Sequence, residues 1–184
     1  IPGNVGAAPI QNIGAYGVEL KDVFDSCRVL SIDSNEIKIF NKEECGFNYR
    51  SSVFKSSQKN KYVILSIRLK LTKEPHSYNL SYDSLKERFN DKEINLSNIS
   101  EEIIKIRQSK LPDPKKIGNC GSFFKNPFIE SEKLDILLEK YPKLPYNKLE
   151  NGLYKIPAAW LIEKMGFKNK SLGDAGVYIN QPLV

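Results

Sequence analysis

Tyr62-Val63-Ile64-Leu65-Ser66-Ile67-Arg68-Leu69-Lys70-Leu71 is the stretch whose reading decides the fold. Ile67, Leu69 and Leu71 alternate strictly with Ser66, Arg68 and Lys70, the period of a strand with one face buried. Upstream, Val29-Leu30-Ser31-Ile32-Asp33 and Glu36-Ile37-Lys38-Ile39-Phe40 flank the polar pair Ser34-Asn35, which predicts a hairpin. After Pro75 the period changes. Asn98-x-x-Glu101 has the form of a capping box, and Ile99, Ile103, Ile104 and Ile106 follow helical spacing to about Ser109. Leu111-Pro112-Asp113-Pro114 stops that helix, because each proline removes a donor and restricts the residue before it. Ser131 can cap a helix carrying Leu134, Leu137 and Leu138. Pro157 suits the first turn of another, Ala158 to Met165, with Gly166 as its stop. Ala175 to Ile179 reads as a strand. Strands come first and helices later, without a βαβ series, so the expected class is α+β.

The 184 residues are 40% hydrophobic and 27% charged, which suits a folded chain rather than a disordered one. Three cysteines, one histidine and no CxxC pair argue against a disulfide scaffold and a zinc site. The apolar runs fall short of a membrane span and no basic-then-apolar leader is present, so a cytoplasmic location without membrane insertion is expected. A net charge of +6 permits an anionic ligand. The lysines are dispersed, and arginine, the residue richest in sequence-reading modules, is scarce, so nucleic acid is not the expected partner. The chain opens on Ile1-Pro2-Gly3 and closes in the apolar phrase Gln181-Pro182-Leu183-Val184, and both ends read as cuts in a longer protein.

Residues 1–17 carry no charge and no helix or strand period, which suits a loop whose backbone closely approaches a ligand. They contain neither G-x-G-x-x-G nor a Gly-Lys-Ser/Thr phosphate loop. In Asn119–Pro127, Gly121 leaves room beside Ser122, while Lys125 and Asn126 add a cation and a two-way hydrogen bonder. Ser122 is either a turn serine or a proton donor. As a nucleophile it needs a base, His76 sits in a polar loop stretch, and GxSxG is absent. Arg50 follows Phe47-Asn48-Tyr49, and it either grips a carboxylate or phosphate through two bonds or stacks on Tyr49 as a surface strand residue. Lys110 either faces an anion or complements its helix dipole. Tyr82 is either a hydroxyl donor to a ligand or a half-buried aromatic.

IPGNVGAAPIQNIGAYGVELKD (1–22), FNYRSSVFK (47–55), SKLPDP (109–114), NCGSFFKNP (119–127) and AAWLIEKMGFK (158–168) occur in this order. Together they resemble the UDP-N-acetylenolpyruvoylglucosamine reductase family, also called UDP-N-acetylmuramate dehydrogenases, across essentially the whole chain. The region of Tyr82 resembles its longer, type I branch. The resemblance implies a flavoprotein oxidoreductase with FAD as cofactor and NADPH as hydride donor. Its substrate is the enolpyruvyl ether of UDP-N-acetylglucosamine, reduced to UDP-N-acetylmuramate for peptidoglycan synthesis, and hence for cell-wall biogenesis, cell shape and division. It also implies a partial FAD-binding domain over 1–110 and a smaller, partial substrate-binding domain over 111–184, in a monomer.

By motif, Ser122 corresponds to the family's proton donor and Arg50 to the arginine that polarises the substrate carboxylate. Tyr82, Lys110, Asn126 and Gln181 correspond to positions holding substrate phosphate, sugar or carboxyl groups. Ile1, Pro2, Gly3, Gly6, Ala7, Ile10, Gln11, Asn12, Ile13, Gly14 and Tyr16 correspond to the part that lies against FAD, with backbone groups supplying most hydrogen bonds around Asn4, Ala7 and Ala8. The family's glycine-rich pyrophosphate loop precedes IPG, and its catalytic glutamate lies beyond the position of Val184. This chain alone is therefore expected to bind FAD weakly or not at all and to turn over poorly. The alternative is a non-catalytic remnant that binds UDP-sugars or other polyanions.

Overall fold

The computed structural model describes residues 3–80, 85, 87–90 and 92–184. They fall into two compact units, Ile1–Leu96 and Ser97–Val184.

The first unit is built on strands β1 (Gly14–Ala15), β2 (Val18–Glu19), β3 (Phe24–Ser31), β4 (Ile37–Asn41) and β5 (Tyr62–Leu69). β3 is central in an antiparallel sheet of order β4-β3-β5. The expected hairpin is present: Ser31 N–H donates to Glu36 O at 2.8 Å, and Asn35 takes a φ of 55° in the turn. β5 forms with Ile67 on the core face, as its alternation predicts, although Leu69 and Leu71 of the same phase are exposed. The register with β3 shifts so that Arg28 opposes Ser66 while Val29 opposes Ile64, leaving Leu65 as the extra residue of a bulge. Tyr62, Ile64 and Ile67, on either side of the bulge, consequently all pack on the core. A single extra residue inverts the side-chain phase.

Leu20, Phe24, Cys27, Val29, Cys45 and Phe54 fill that core. Phe24 meets Phe47 edge-on, and Phe40 stacks on Phe54 and meets Tyr62 edge-on, arrangements that aromatic quadrupoles favour. On the opposite face of the sheet Ile37, Ile39, Val63 and Leu65 are all exposed.

Residues 3–17 are more regular than their composition suggests. Val5–Gln11 is a 3-10 helix with Pro9 inside it, and β1–β2 is a short hairpin turning at Tyr16 and Gly17, with φ of 54° and 81°. A 3-10 turn lacks the 3.6-residue period that sequence patterning detects.

The second unit carries helices α1 (Leu96–Lys110), α2 (Ser131–Lys140) and α3 (Ala158–Lys164), and strands β6 (Phe128–Ile129), β7 (Asn147–Lys148), β8 (Tyr154–Lys155), β9 (Ser171–Leu172) and β10 (Ala175–Gly176). β6, β8 and β7 form one small sheet, while β10, ending at Gly176, pairs only with β9 among the described residues, so Val177–Ile179 is not strand. Leu134, Leu144 and Ile156 are its buried centre, with Leu137, Leu138, Tyr141 and Trp160 packed around them. α1 starts at Leu96, so Asn98 lies within its first turn and not at a cap. α3 ends at Lys164, and Gly166 turns the chain at a φ of 75°. The architecture is mixed helix and sheet, an α+β chain as expected. Among the described residues no helix is long and apolar enough to cross a membrane.

Candidate active site

In the first unit the charge-free opening segment and the Phe47–Lys55 segment are tied together by side-chain bonds. Ser52 Oγ donates to Ile10 O at 2.8 Å, and Lys55 Nζ reaches both Gln11 Oε1 and Arg50 O at 3.4 Å. Asn12 has no exposed surface. Its Nδ2 donates to Glu19 Oε2 at 2.9 Å and to Asn48 O at 3.2 Å, and its Oδ1 accepts from Lys21 N–H at 2.9 Å. The whole side-chain amide of Asn12 is thus used inside the protein.

Arg50 sits in a tight turn closed by reciprocal bonds between Asn48 and Ser51, 3.1 Å each, at a φ of 50°. It is therefore a turn residue rather than a strand residue. Its Nη2 donates to Gly14 O at 2.6 Å, its Nη1 pairs with Glu19 Oε1 at 3.2 Å, and its guanidinium carbon lies 5.0 Å from the Tyr49 ring centre. Stacking and a two-point grip thus coexist, and the grip is on the chain's own groups. Gly14 permits this approach: a Cβ there would stand 3.1 Å from Arg50 Nη1 and 2.7 Å from Val18 O.

Of the other residues expected to meet FAD, Gly3, Ala7, Ile10 and Gln11 are exposed, while Gly6, Ile13, Gly14 and Tyr16 are half-buried. Ile1, Pro2 and Tyr82 lie outside the described residues. In the adjoining core the Cys45 thiol hydrogen-bonds Cys27. The bond lowers the pKa of Cys27 and, with burial, raises that of Cys45 well above the ordinary thiol range.

In the second unit four expected substrate contacts come from three segments that the backbone joins. Asn180 Nδ2 donates to Ser109 O at 3.4 Å, which brings the turn before Val184 to the end of α1, where Lys110 is the last residue. Phe123 N–H donates to Leu183 O at 2.8 Å, which joins the Ser122 loop to the same turn. Gln181 lies in that turn, its Oε1 near Leu183 N at 3.5 Å.

Ser122 is exposed and follows Gly121, whose φ of 66° and bond to Asn119 Oδ1 shape the loop. Asn126 Oδ1 accepts from Ala158 N–H at 2.9 Å, so one end of its amide anchors the start of α3. Lys110, Ser122 and Gln181 thus lie on segments tied together within this unit, while Asn126 is fixed at the start of α3. Sequence reasoning did not single out Glu19. Its signal was present: it is the first charged residue of the chain, directly after a long neutral stretch.

Residues 113–184 match the family described as UDP-N-acetylenolpyruvoylglucosamine reductase, C-terminal domain. Over 187 residues the chain is 49% identical to a UDP-N-acetylenolpyruvoylglucosamine reductase of Flavobacterium johnsoniae, covering 100% of this chain and 56% of that protein. It is 50% identical over 187 residues to the reductase of Amoebophilus asiaticus, covering 100% of this chain and 55% of that protein. The chain thus spans about half the length of the curated relatives it matches. The crystal structure of UDP-N-acetylenolpyruvylglucosamine reductase from Thermus caldophilus shares its fold, with a TM-score of 0.58 at 22% identity, over 100% of this chain and 49% of that one.

Proposed function

We propose that this chain, whose residues 113–184 match the C-terminal domain family of the UDP-N-acetylenolpyruvoylglucosamine reductases, carries part of the active site of such a reductase. The proposed reaction is reduction of the enolpyruvyl ether of UDP-N-acetylglucosamine to UDP-N-acetylmuramate for peptidoglycan synthesis. The protein works as a cytoplasmic monomer. The observation that carries the reading is the joining of Lys110, Ser122 and Gln181 in the second unit through the Asn180–Ser109 and Phe123–Leu183 bonds.

The opening segment fits a flavin. It offers exposed, neutral, small residues, Gly3 and Ala7, beside Ile10 and Gln11, a surface that accepts a planar uncharged ring. FAD held there would supply the hydride that NADPH provides. The chain's own residues handle charge and proton. When the methylene carbon of the enolpyruvyl group gains a hydride, negative charge develops at the neighbouring carbon and spreads into its carboxylate. Arg50 stabilises that charge as a fixed cation, which needs no reorganisation during the step. Ser122 donates its hydroxyl proton to the same carbon. A serine is a weak acid, so its placement on a loop shaped by Gly121 and Asn119 counts for more than its acidity. Lys110 and Gln181 hold phosphate, sugar or carboxyl oxygens, and Asn126, one end of which anchors α3, contributes its remaining donor.

The test separates the two half-reactions in the full-length protein containing this chain. Ser122→Ala should leave flavin reduction by NADPH intact and abolish flavin reoxidation by the enolpyruvyl substrate. Equal loss of both would make Ser122 structural and remove the proposed role.

A further inference from the structure

We infer that Glu19, held by Asn12, is a positioning residue that sets the Arg50 guanidinium for the substrate carboxylate. The inference rests on the reading of Arg50 just given. Glu19 is fixed before it touches the arginine: Asn12 Nδ2 reaches its Oε2 at 2.9 Å, Lys21 Nζ lies 3.3 Å from the same oxygen, and its side chain caps Asp22 N–H in a reciprocal capping box. Its remaining oxygen, Oε1, faces Arg50 Nη1 at 3.2 Å. Asn12 also donates to Asn48 O, at the edge of the turn that carries Arg50. The buried amide therefore grips both the backbone that carries the arginine and the carboxylate that orients its tip.

A carboxylate beside a catalytic cation weakens its pull on an anionic substrate, so its benefit here is geometric. Two N–H groups of the guanidinium are directed to Glu19 and to Gly14 O, which leaves the others in a fixed plane for a bidentate anion. An unpaired arginine on a turn samples many rotamers, and holding it in one removes that entropy loss from the reactive step.

The experiment uses the full-length flavoprotein containing this chain, with stopped-flow measurement of flavin reduction by NADPH and of reoxidation by the enolpyruvyl substrate. Glu19→Gln keeps the shape but turns one acceptor into a donor. It should slow reoxidation about tenfold or more while leaving reduction by NADPH within about twofold. Glu19→Asp keeps the charge and draws it back by one methylene. It should slow reoxidation less, and it carries the test if Glu19→Gln fails to fold. Combined with Arg50→Lys, Glu19→Gln should add no further loss, because the two act as one unit.

Reoxidation at the parental rate in both Glu19 variants, equal loss in both half-reactions, or additive losses in the double variant would each overturn the inference. Arg50→Lys with unchanged reoxidation would instead overturn the underlying role of Arg50. Slow Arg50→Lys beside unaffected Glu19 variants overturns the positioning role alone.

Discussion

Replacing Asn12 by alanine removes three hydrogen bonds from a site with no exposed surface. The bond to the Glu19 carboxylate is worth roughly 1.5–3 kcal/mol and each of the two backbone bonds roughly 0.5–1.5 kcal/mol. Asn12 also sits at a φ of 45°, in the left-handed region, where alanine costs about 1 kcal/mol more than glycine. The total is about 4 kcal/mol for Asn12→Ala if water restores part of the lost bonding.

Asn12→Gly serves as the control, since it loses the same bonds without the backbone penalty and should be less harmful by about 1 kcal/mol. The assay is native-state hydrogen exchange of peptides covering residues 12–21 and 48–55, because local opening is what these bonds resist. At 1.36 kcal/mol per tenfold, Asn12→Ala should lower protection of the Ile13, Leu20 and Lys21 amides by about a thousandfold, or to the floor of that region. Asn12→Gly should retain roughly five times more protection than Asn12→Ala. A fall below about tenfold for alanine, or a glycine variant worse than alanine, would refute the role assigned to this amide.

Gly14→Ala places a Cβ 2.7 Å from Val18 O and 2.8 Å from Glu19 Cγ, so the β1–β2 hairpin must open. A loss of roughly 1–3 kcal/mol should appear as a lower urea midpoint with an unchanged slope. Cys120 is exposed while Cys27 and Cys45 are buried, so a neutral thiol reagent on the native protein should label Cys120 alone; peptide mass spectrometry reads this, with the other two labelled only after denaturation.

The hairpin around Ser34 and Asn35 was legible because a polar pair between two apolar runs has few other solutions. The helices of the second unit were legible for the same reason, since their leucines and isoleucines repeat at helical spacing. The bulge in β5 was not. The bulge at Leu65 follows from pairing with β3, and no residue inside 62–71 announces it. The opening segment hid its 3-10 helix because Gly, Ala and Pro carry no periodic signal.

The site divides in the same way. Arg50 and Ser122 stood out as residue types in suggestive company. The partners of Arg50 lie 31 and 36 positions away, a separation that only the folded chain closes. That Asn126 serves the start of α3 is likewise a tertiary fact, since Ala158 is 32 positions distant.

The outer face of the β4-β3-β5 sheet, with Ile37, Ile39, Val63 and Leu65 in water, bears on how this chain is to be handled at the bench. β4 and β5 each pair only with β3 among the described residues, so an apolar plane is flanked by two ladder-ending strands. Such surfaces promote clumping between copies as concentration rises. Apolar association weakens on cooling and strengthens with sulfate or phosphate. Cold, dilute preparations in chloride should therefore stay clear, and ammonium sulfate steps should cause losses out of proportion to the net charge of +6.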